Sequence, residues 1–157
     1  MTFFLKKLSF YGIRGIACSW FESYLTNRKQ CVHFNNCLSD FKVISCGVPQ
    51  GSLLGPLLFL IYINDMSKTS NLLSFILYAD DTSICYCNKS LTSLYETVNN
   101  ELIKICDWFK ANRLSINLSK CNFMIFSNRK RQSNQSNLNI VLDNTSLKKL
   151  TSASFWV

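Results

Sequence analysis

The spacing of apolar and polar positions changes several times along the chain, and each change marks an element. Phe3, Phe4, Leu5, Leu8 and Phe10 are apolar with Lys6 and Lys7 between them, so residues 1 to 11 lie inside one element. No cap or turn precedes it, which points to a natural chain that begins further upstream. Gly12 and Gly15 break the pattern. From Ile16 the apolar positions Ile16, Trp20, Phe21, Tyr24 and Leu25 paint one face of an amphipathic helix. Asn27, Arg28 and Lys29 close it, with the cations at the end where they complement the helix dipole. Cys31 to Phe34 and Phe41 to Cys46 are β-prone runs, predicting a hairpin with a longer loop.

Three glycines and two prolines fall within Gly47-Val48-Pro49-Gln50-Gly51-Ser52-Leu53-Leu54-Gly55-Pro56. No ordinary helix or strand interior has that content. Glycine permits close backbone approach to a ligand and proline stiffens a loop. Pro56 fits the first turn of a helix predicted over Leu57 to Asp65. The loop then feeds a helix N-terminus, whose free N–H groups suit a phosphate or a nucleic-acid strand. The apolar stretch Leu53 to Ile63 is shorter than the ~20 residues of a membrane span and reads as a buried helix. Asp65, near the far end, opposes the dipole and is expected to cap the next turn or find a cation.

Leu72 to Leu77 and Ser83 to Cys87 flank a short polar tip, the pattern of a hairpin. Ser90 is the expected N-cap of a helix from Leu91 to about Lys110. Leu91, Leu94, Val98, Leu102, Ile105, Trp108 and Phe109 form its core face, and Asn112 ends it. Leu114, Ile116 and Leu118 alternate briefly, and Cys121 to Phe126 reads as a strand. Residues 127 to 137 form a polar basic loop containing Arg129, Lys130 and Arg131. Leu138 to Leu142, the Asp143-Asn144 turn and Leu147 to Leu150 predict a last hairpin. These elements mix without repeats and predict an α+β chain.

Composition sharpens this picture. The 157 residues are 48% hydrophobic, enough for one core of fair size. The net charge is +8, which favours a polyanionic partner, nucleic acid or an anionic membrane surface. The eight cysteines include no Cys-x-x-Cys pair and His33 is the only histidine, so the clustered thiolates or imidazoles that a structural zinc site needs are missing and the pattern argues against one. The opening residues do not form a signal peptide, which predicts reduced cysteines and an intracellular setting.

The candidate chemistry lies at Tyr78-Ala79-Asp80-Asp81. Adjacent carboxylates repel, and holding both ionised calls for a cation between them. Hard oxygen ligands suit magnesium or manganese.

Taken with the Gly/Pro loop, this tetrapeptide carries a resemblance. Gly47-Val48-Pro49-Gln50-Gly51-Ser52, then Leu54-Gly55-Pro56-Leu57-Leu58-Phe59 and Ile61-Tyr62-Ile63-Asn64-Asp65, resembles the template- and nucleotide-contacting segment of jockey-like non-LTR retrotransposon reverse transcriptases. Tyr78-Ala79-Asp80-Asp81 resembles their metal-binding box. Asp107-Trp108-Phe109 with Asn112, Leu114, Ser115, Asn117 and Lys120 resembles the next motif. Lys6-Lys7-Leu8 with Tyr11-Gly12-Ile13 resembles the region before the loop. Together these cover almost the whole chain.

The resemblance implies a partial right-hand polymerase palm, an antiparallel sheet with helices packed on one face. Residues 1–126 would be the fingers/palm part and 127–157 the basic loop and terminal hairpin. It implies RNA-directed DNA synthesis on an RNA template and DNA primer with dNTPs, away from any membrane, assisted by two Mg²⁺ or Mn²⁺ ions. Asp80 would be the principal metal ligand and Asp81 its companion. Lys120 would serve as the catalytic lysine that gives a proton to pyrophosphate. Pro49, Gln50, Gly51 and Ser52 would contact nucleotide and template, and Tyr78 would pack near the primer end.

The chain also departs from the family. A third metal-binding aspartate belongs on a strand upstream of Lys6-Lys7-Leu8, where only Met1 to Leu5 stand. Ser154-Phe155-Trp156-Val157 departs from the family's Phe-Leu-Gly primer grip. The expectation is a palm truncated at both ends, with little activity alone. The alternative is a non-catalytic, basic nucleic-acid-binding or interaction fragment.

Overall fold

The computed structural model describes residues 2–44, 47–49, 51–127 and 138–150. It divides into two compact units, Met1–Asn64 and Asp65–Val157.

The first unit opens with helix α1 (Thr2–Phe10) and helix α2 (Ile16–Leu25), the predicted amphipathic helix. Asn27 follows α2 with φ 55, the left-handed conformation common just after a helix end and tolerated by asparagine. Next come β1 (Lys29–Gln30), β2 (His33–Phe34), β3 (Cys37–Leu38) and β4 (Lys42–Val43). The predicted long-loop hairpin is instead two nested pairs. β2 and β3 pair across a two-residue turn, and β1 pairs with β4 outside them. The reason lies in Asn35 and Asn36, both at positive φ (47 and 60), which is what a tight type I′ turn requires. His33 is exposed on β2.

Helix α3 (Leu54–Ile63) begins three residues earlier than predicted. The Ser52 hydroxyl accepts the Gly55 N–H at 3.0 Å, and Pro56 costs nothing in a first turn whose N–H groups lack helical partners. The helix is not wholly buried, as its run of apolar residues had suggested. Gly55, Leu58 and Ile63 are buried, while Leu57 and Leu60 are exposed. Phe4, Leu8, Leu25 and Leu58 form the core of this unit, so α3 is covered on the side facing α1. Lys7 is buried there, and its Nζ donates to the Tyr62 carbonyl at 2.6 Å and sits 4.9 Å from the Tyr62 ring centroid. An ammonium placed on a last-turn carbonyl complements the C-terminal end of α3.

The second unit starts with a 3₁₀ turn (Met66–Thr69), with Asp65 at its N-cap position but making no side-chain capping hydrogen bond, contrary to the capping expected of it. Hairpin β5 (Ser74–Tyr78) and β6 (Asp81–Cys85) follows. Helix α4 (Leu91–Ala111) is capped by Ser90, whose Oγ accepts the Ser93 N–H, and ends at Asn112. Tyr95, Leu102, Ile105 and Cys106 are its buried residues that enter the core with Leu73, Ile140 and Leu142. Trp108, expected on that face, is half-buried and instead meets Phe109 edge-on.

Strands β7 (Asn122–Met124), β8 (Val141–Leu142), β9 (Thr145–Ser146) and β10 (Lys148–Leu150) complete the described residues. The Asp143-Asn144 turn joins β8 to β9, as expected. The predicted partner strand over Leu147 to Leu150 does something else. β10 leaves the hairpin and pairs in parallel with β7, Lys149 opposite Phe123. Leu138 to Leu142 is shorter than predicted, with strand only at Val141–Leu142. Leu114, Ile116 and Leu118 form no strand. The basic loop residues 128–137 lie outside the described residues.

The chain is α+β. Among the described residues the strands form separate two-stranded ladders, four antiparallel and one parallel, rather than one antiparallel sheet. No described helix is long and apolar enough to cross a membrane.

Candidate active site

Hairpin β5–β6 is the longest antiparallel ladder described, running from Ser74↔Cys85 to Tyr78↔Asp81. Along β5 the side chains alternate, with Phe75 and Leu77 half-buried and Ser74, Ile76 and Tyr78 exposed. Phe75 and Ile84 root the hairpin against the α4 core. The tip carries no such anchor. Tyr78 is 80% exposed, and Asp80 and Asp81 are exposed beside it.

The turn residues are Ala79 and Asp80. Ala79 has φ 51, a region that a Cβ makes costly by about 1–2 kcal/mol. Glycine is the usual occupant of a tight turn's first central position at positive φ. The strain is held by the ladder behind it, and stored strain of this kind clusters at ligand clamps.

Asp80 stands in the turn and Asp81 opens β6, so their Cα atoms are consecutive and both project from the tip region. Among the described residues neither carboxylate takes part in an ion pair or a side-chain hydrogen bond. Their charge is therefore left to solvent or to an added cation. The described residues contain no group of three or more His, Cys, Asp or Glu side chains that together would hold a metal. Two carboxylates still fit magnesium in kind, because that ion keeps several waters and binds through one or two carboxylates together with substrate phosphates.

Lys120 is exposed in the turn before β7, where its N–H donates to the Asn117 carbonyl at 3.1 Å. It forms no ion pair with Asp80 or Asp81.

The Gly/Pro loop belongs to the first unit. Gly47 (φ 84) and Gly51 (φ 75) hold conformations that side chains resist. Pro49 is half-buried, and its carbonyl accepts the Ser52 N–H at 3.2 Å. Ser52 spends its hydroxyl on Gly55, so its side chain organises the helix start. A Cβ on Gly55 would stand 3.0 Å from Ser52 Oγ and 3.3 Å from Val48 Cγ2, so glycine lets the loop lie against the first turn of α3. Gln50 lies outside the described residues.

Sequence spacing did not single out Arg28 for the loop. Its Nη2 donates to the Gly47 carbonyl, tying the loop to the start of β1. The two residues are 19 positions apart, so no local pattern could have linked them.

Residues 1–150 match the family described as reverse transcriptase (RNA-dependent DNA polymerase). The chain belongs to that family. Over 114 residues it is 30% identical to the probable RNA-directed DNA polymerase from transposon X-element of Drosophila melanogaster, covering 70% of this chain and 13% of that protein. Over 115 residues it is 30% identical to the RNA-directed DNA polymerase from mobile element jockey of the same species, covering 69% and 13%. The jockey polymerase of Drosophila funebris is likewise 30% identical over 114 residues, covering 68% and 12%. The chain thus spans about an eighth of the length of these curated relatives. No solved structure matches it. Within the reverse transcriptase family, the resemblance to the jockey-like non-LTR group is borne out.

Proposed function

We propose that this chain is the palm segment of a non-LTR retrotransposon's RNA-directed DNA polymerase, the activity named for its relatives. The observation that carries the proposal is the strained hairpin tip, which presents two adjacent, unneutralised carboxylates in a chain of this family. Asp80 and Asp81 would hold the divalent ions, Mg²⁺ or Mn²⁺. When bound, such ions favour attack of a primer 3′-hydroxyl on a nucleotide α-phosphate and steady the departing pyrophosphate.

The chain's own residues have separate tasks. The β5–β6 ladder fixes the direction of the two carboxylates. Lys120 offsets triphosphate charge and gives a proton to the leaving group. Tyr78 offers an exposed ring to the primer end. Pro49, Gln50, Gly51 and Ser52 meet the template and nucleotide through a loop whose shape is held by Gly47, Gly51 and the Ser52 cap. RNA template, DNA primer and dNTP are the partners this reading requires. The +8 charge is also what a non-catalytic nucleic-acid-binding segment would carry, and that is the second reading.

The test is Mn²⁺ titration of the purified chain by calorimetry, beside an Asp80→Asn, Asp81→Asn variant. Binding present in the parent and absent in the variant is the expected result. Equal heats in the two would remove the metal-site reading and leave the non-catalytic one. In a primer-extension assay the chain alone is expected to yield no extended product, because two carboxylates hold a weak site. Extension by the chain alone would overturn that expectation.

A further inference from the structure

Hairpin β5–β6 carries its two carboxylates at a tip that does not choose its own register. In a hairpin the turn decides which residues pair, and a slip by one residue moves every side chain to the other face. Here the turn falls on Ala79 at φ 51, which alanine resists, so the local sequence of the tip does not select the pairing Tyr78↔Asp81. The register has to be imposed from the root of the hairpin.

Ser70 stands at that root. It is buried directly after the 3₁₀ turn, and its Oγ accepts two backbone N–H groups, from Leu72 at 3.2 Å and from Leu73 at 3.1 Å. A hydroxyl has two acceptor lone pairs and one proton. Both lone pairs are used on the residues that lead into β5. The proton is left for Glu101 of α4, whose side chain is a hydrogen-bond partner of Ser70. Glu101 is only 5% exposed, and its Oε1 accepts Lys104 Nζ at 2.6 Å. The Lys104 ammonium and then the Ser70 hydroxyl hold this carboxyl below 4.5, so it is an ionised acceptor, the stronger kind. The helix that carries the core thus orients the hydroxyl, and the hydroxyl fixes the Leu73 N–H. Leu73 is buried beside Ile105, and Phe75 packs against the same cluster. Once Leu73 points inward, alternation sends Phe75 and Leu77 inward and Ile76 and Tyr78 outward, as observed. That parity leaves Ala79 and Asp80 in the turn and Asp81 at the start of β6.

We propose that Ser70, oriented by Glu101, is the positioning residue that sets the register of β5–β6 and with it the placement of Asp80 and Asp81. Neither residue touches metal or substrate, and both act through the strand. The inference deepens the metal-site reading and rests on it for its effect on binding. It adds two residues that lie outside the motifs carrying the family resemblance.

The experiment compares the full chain with Ser70→Ala, Ser70→Thr, Glu101→Gln and the double variant Ser70→Ala, Ala79→Gly. One readout is Mn²⁺ affinity by calorimetry, taken where urea unfolding shows each variant folded. The other is amide hydrogen exchange along β5–β6 by NMR, with the amides of α4 as internal reference. Ser70→Ala is expected to weaken Mn²⁺ binding about tenfold, the loss that removing outer-shell support brings. Its hairpin amides should exchange about tenfold faster while those of α4 hold their rates. Ser70→Thr keeps the hydroxyl and should stay within about twofold of the parent, and Glu101→Gln, with a neutral acceptor, should lose about threefold. The double variant separates register from mere stability. Glycine lets the tip favour its own turn, so Mn²⁺ affinity should return to within about twofold of the parent. A Ser70→Ala chain that is less stable yet binds Mn²⁺ like the parent would overturn the proposal, as would a double variant no better than the single one. Should Ser70→Ala fail to fold, Glu101→Gln decides, and parental affinity there would overturn the role of Glu101 and Ser70 together. A parent that binds no Mn²⁺ would instead remove the metal-site reading. Exchange then decides alone: hairpin amides loosened by Ser70→Ala and restored by Ala79→Gly support the register role, and unchanged amides overturn it.

Discussion

Hairpins β8–β9 and β5–β6 both close with two-residue turns, and both turns contain aspartate. In the first, Asp143 and Asn144 sit at φ 45 and 63, conformations these side chains tolerate. Asp143 there accepts from Lys110 Nζ at 2.8 Å, joining the turn to the end of α4. In the second, the positive φ falls on Ala79, which resists it, and Asp80 and Asp81 are paired with no described cation. The first turn is locally consistent and its charge is used up inside the fold. The second is locally unfavourable and its charge is left over. Such exceptions to local preference gather where a chain does chemistry. Ladder length tells the same story: the consistent turn needs two residue pairs, while the strained one is held by five.

The largest effect should come from removing what holds the strained tip. Ile105→Ala opens the core behind β5–β6 and is expected to cost about 2–5 kcal/mol in urea unfolding. Mn²⁺ binding should weaken with it if the ladder positions the carboxylates. Next, the two turns should respond in opposite directions. Asn144→Ala should destabilise by about 1 kcal/mol, because alanine resists left-handed φ. Ala79→Gly should stabilise by about 0.5 kcal/mol, strain relief outweighing the added chain entropy. A loss of stability in Ala79→Gly would erase the contrast.

Smaller still, Asp80→Asn with Asp81→Asn should leave the urea midpoint within about 0.5 kcal/mol, the range of surface substitutions. A larger loss would make these carboxylates structural, as Asp143 is. The smallest effect is pH dependence. The Asp143 carboxylate beside Lys110 holds its ammonium pKa above the ordinary 10.5. A raised folded-state pKa means the pair's contribution is complete below 10.5 and fades as pH rises through the folded value. The unfolding midpoint of the parent should approach that of Lys110→Gln only in that alkaline range. Glu101 gives the opposite window. The Lys104 ammonium holds its carboxyl below 4.5, so that contribution is present above 4.5 and is lost as pH falls through the folded value. Both groups are ion-paired inside the second unit.

Much of this was legible without coordinates because its causes are local. Ser90 announces α4 through one side-chain bond three residues on, and the i, i+3, i+4 spacing from Leu91 to Phe109 names Leu102 and Ile105 of its buried residues and the half-buried Leu91, Leu94, Val98 and Phe109 packed beside them, while Tyr95 and Cys106 are added by the tertiary packing. The Asp143-Asn144 turn follows from residues that tolerate positive φ. The two adjacent aspartates between β-prone runs placed the candidate chemistry at a hairpin tip before any geometry. The nested turn at Asn35-Asn36 was also written in the chain, but the longer Phe41 to Cys46 run drew the pairing outward.

What the sequence by itself determined, then, is the helices, the tight turns, the tip with its two carboxylates and the family to which the chain belongs. Each depends on neighbours within a few positions, where propensity, capping and spacing act directly. Only the tertiary structure decided that β10 pairs in parallel with β7, that Arg28 holds Gly47, that Lys7 sits on the Tyr62 carbonyl, and that α3 buries one side. Those contacts join residues from 19 to 55 positions apart. Their selection rests on which surfaces meet once the chain has collapsed, and no short window of residues contains that information.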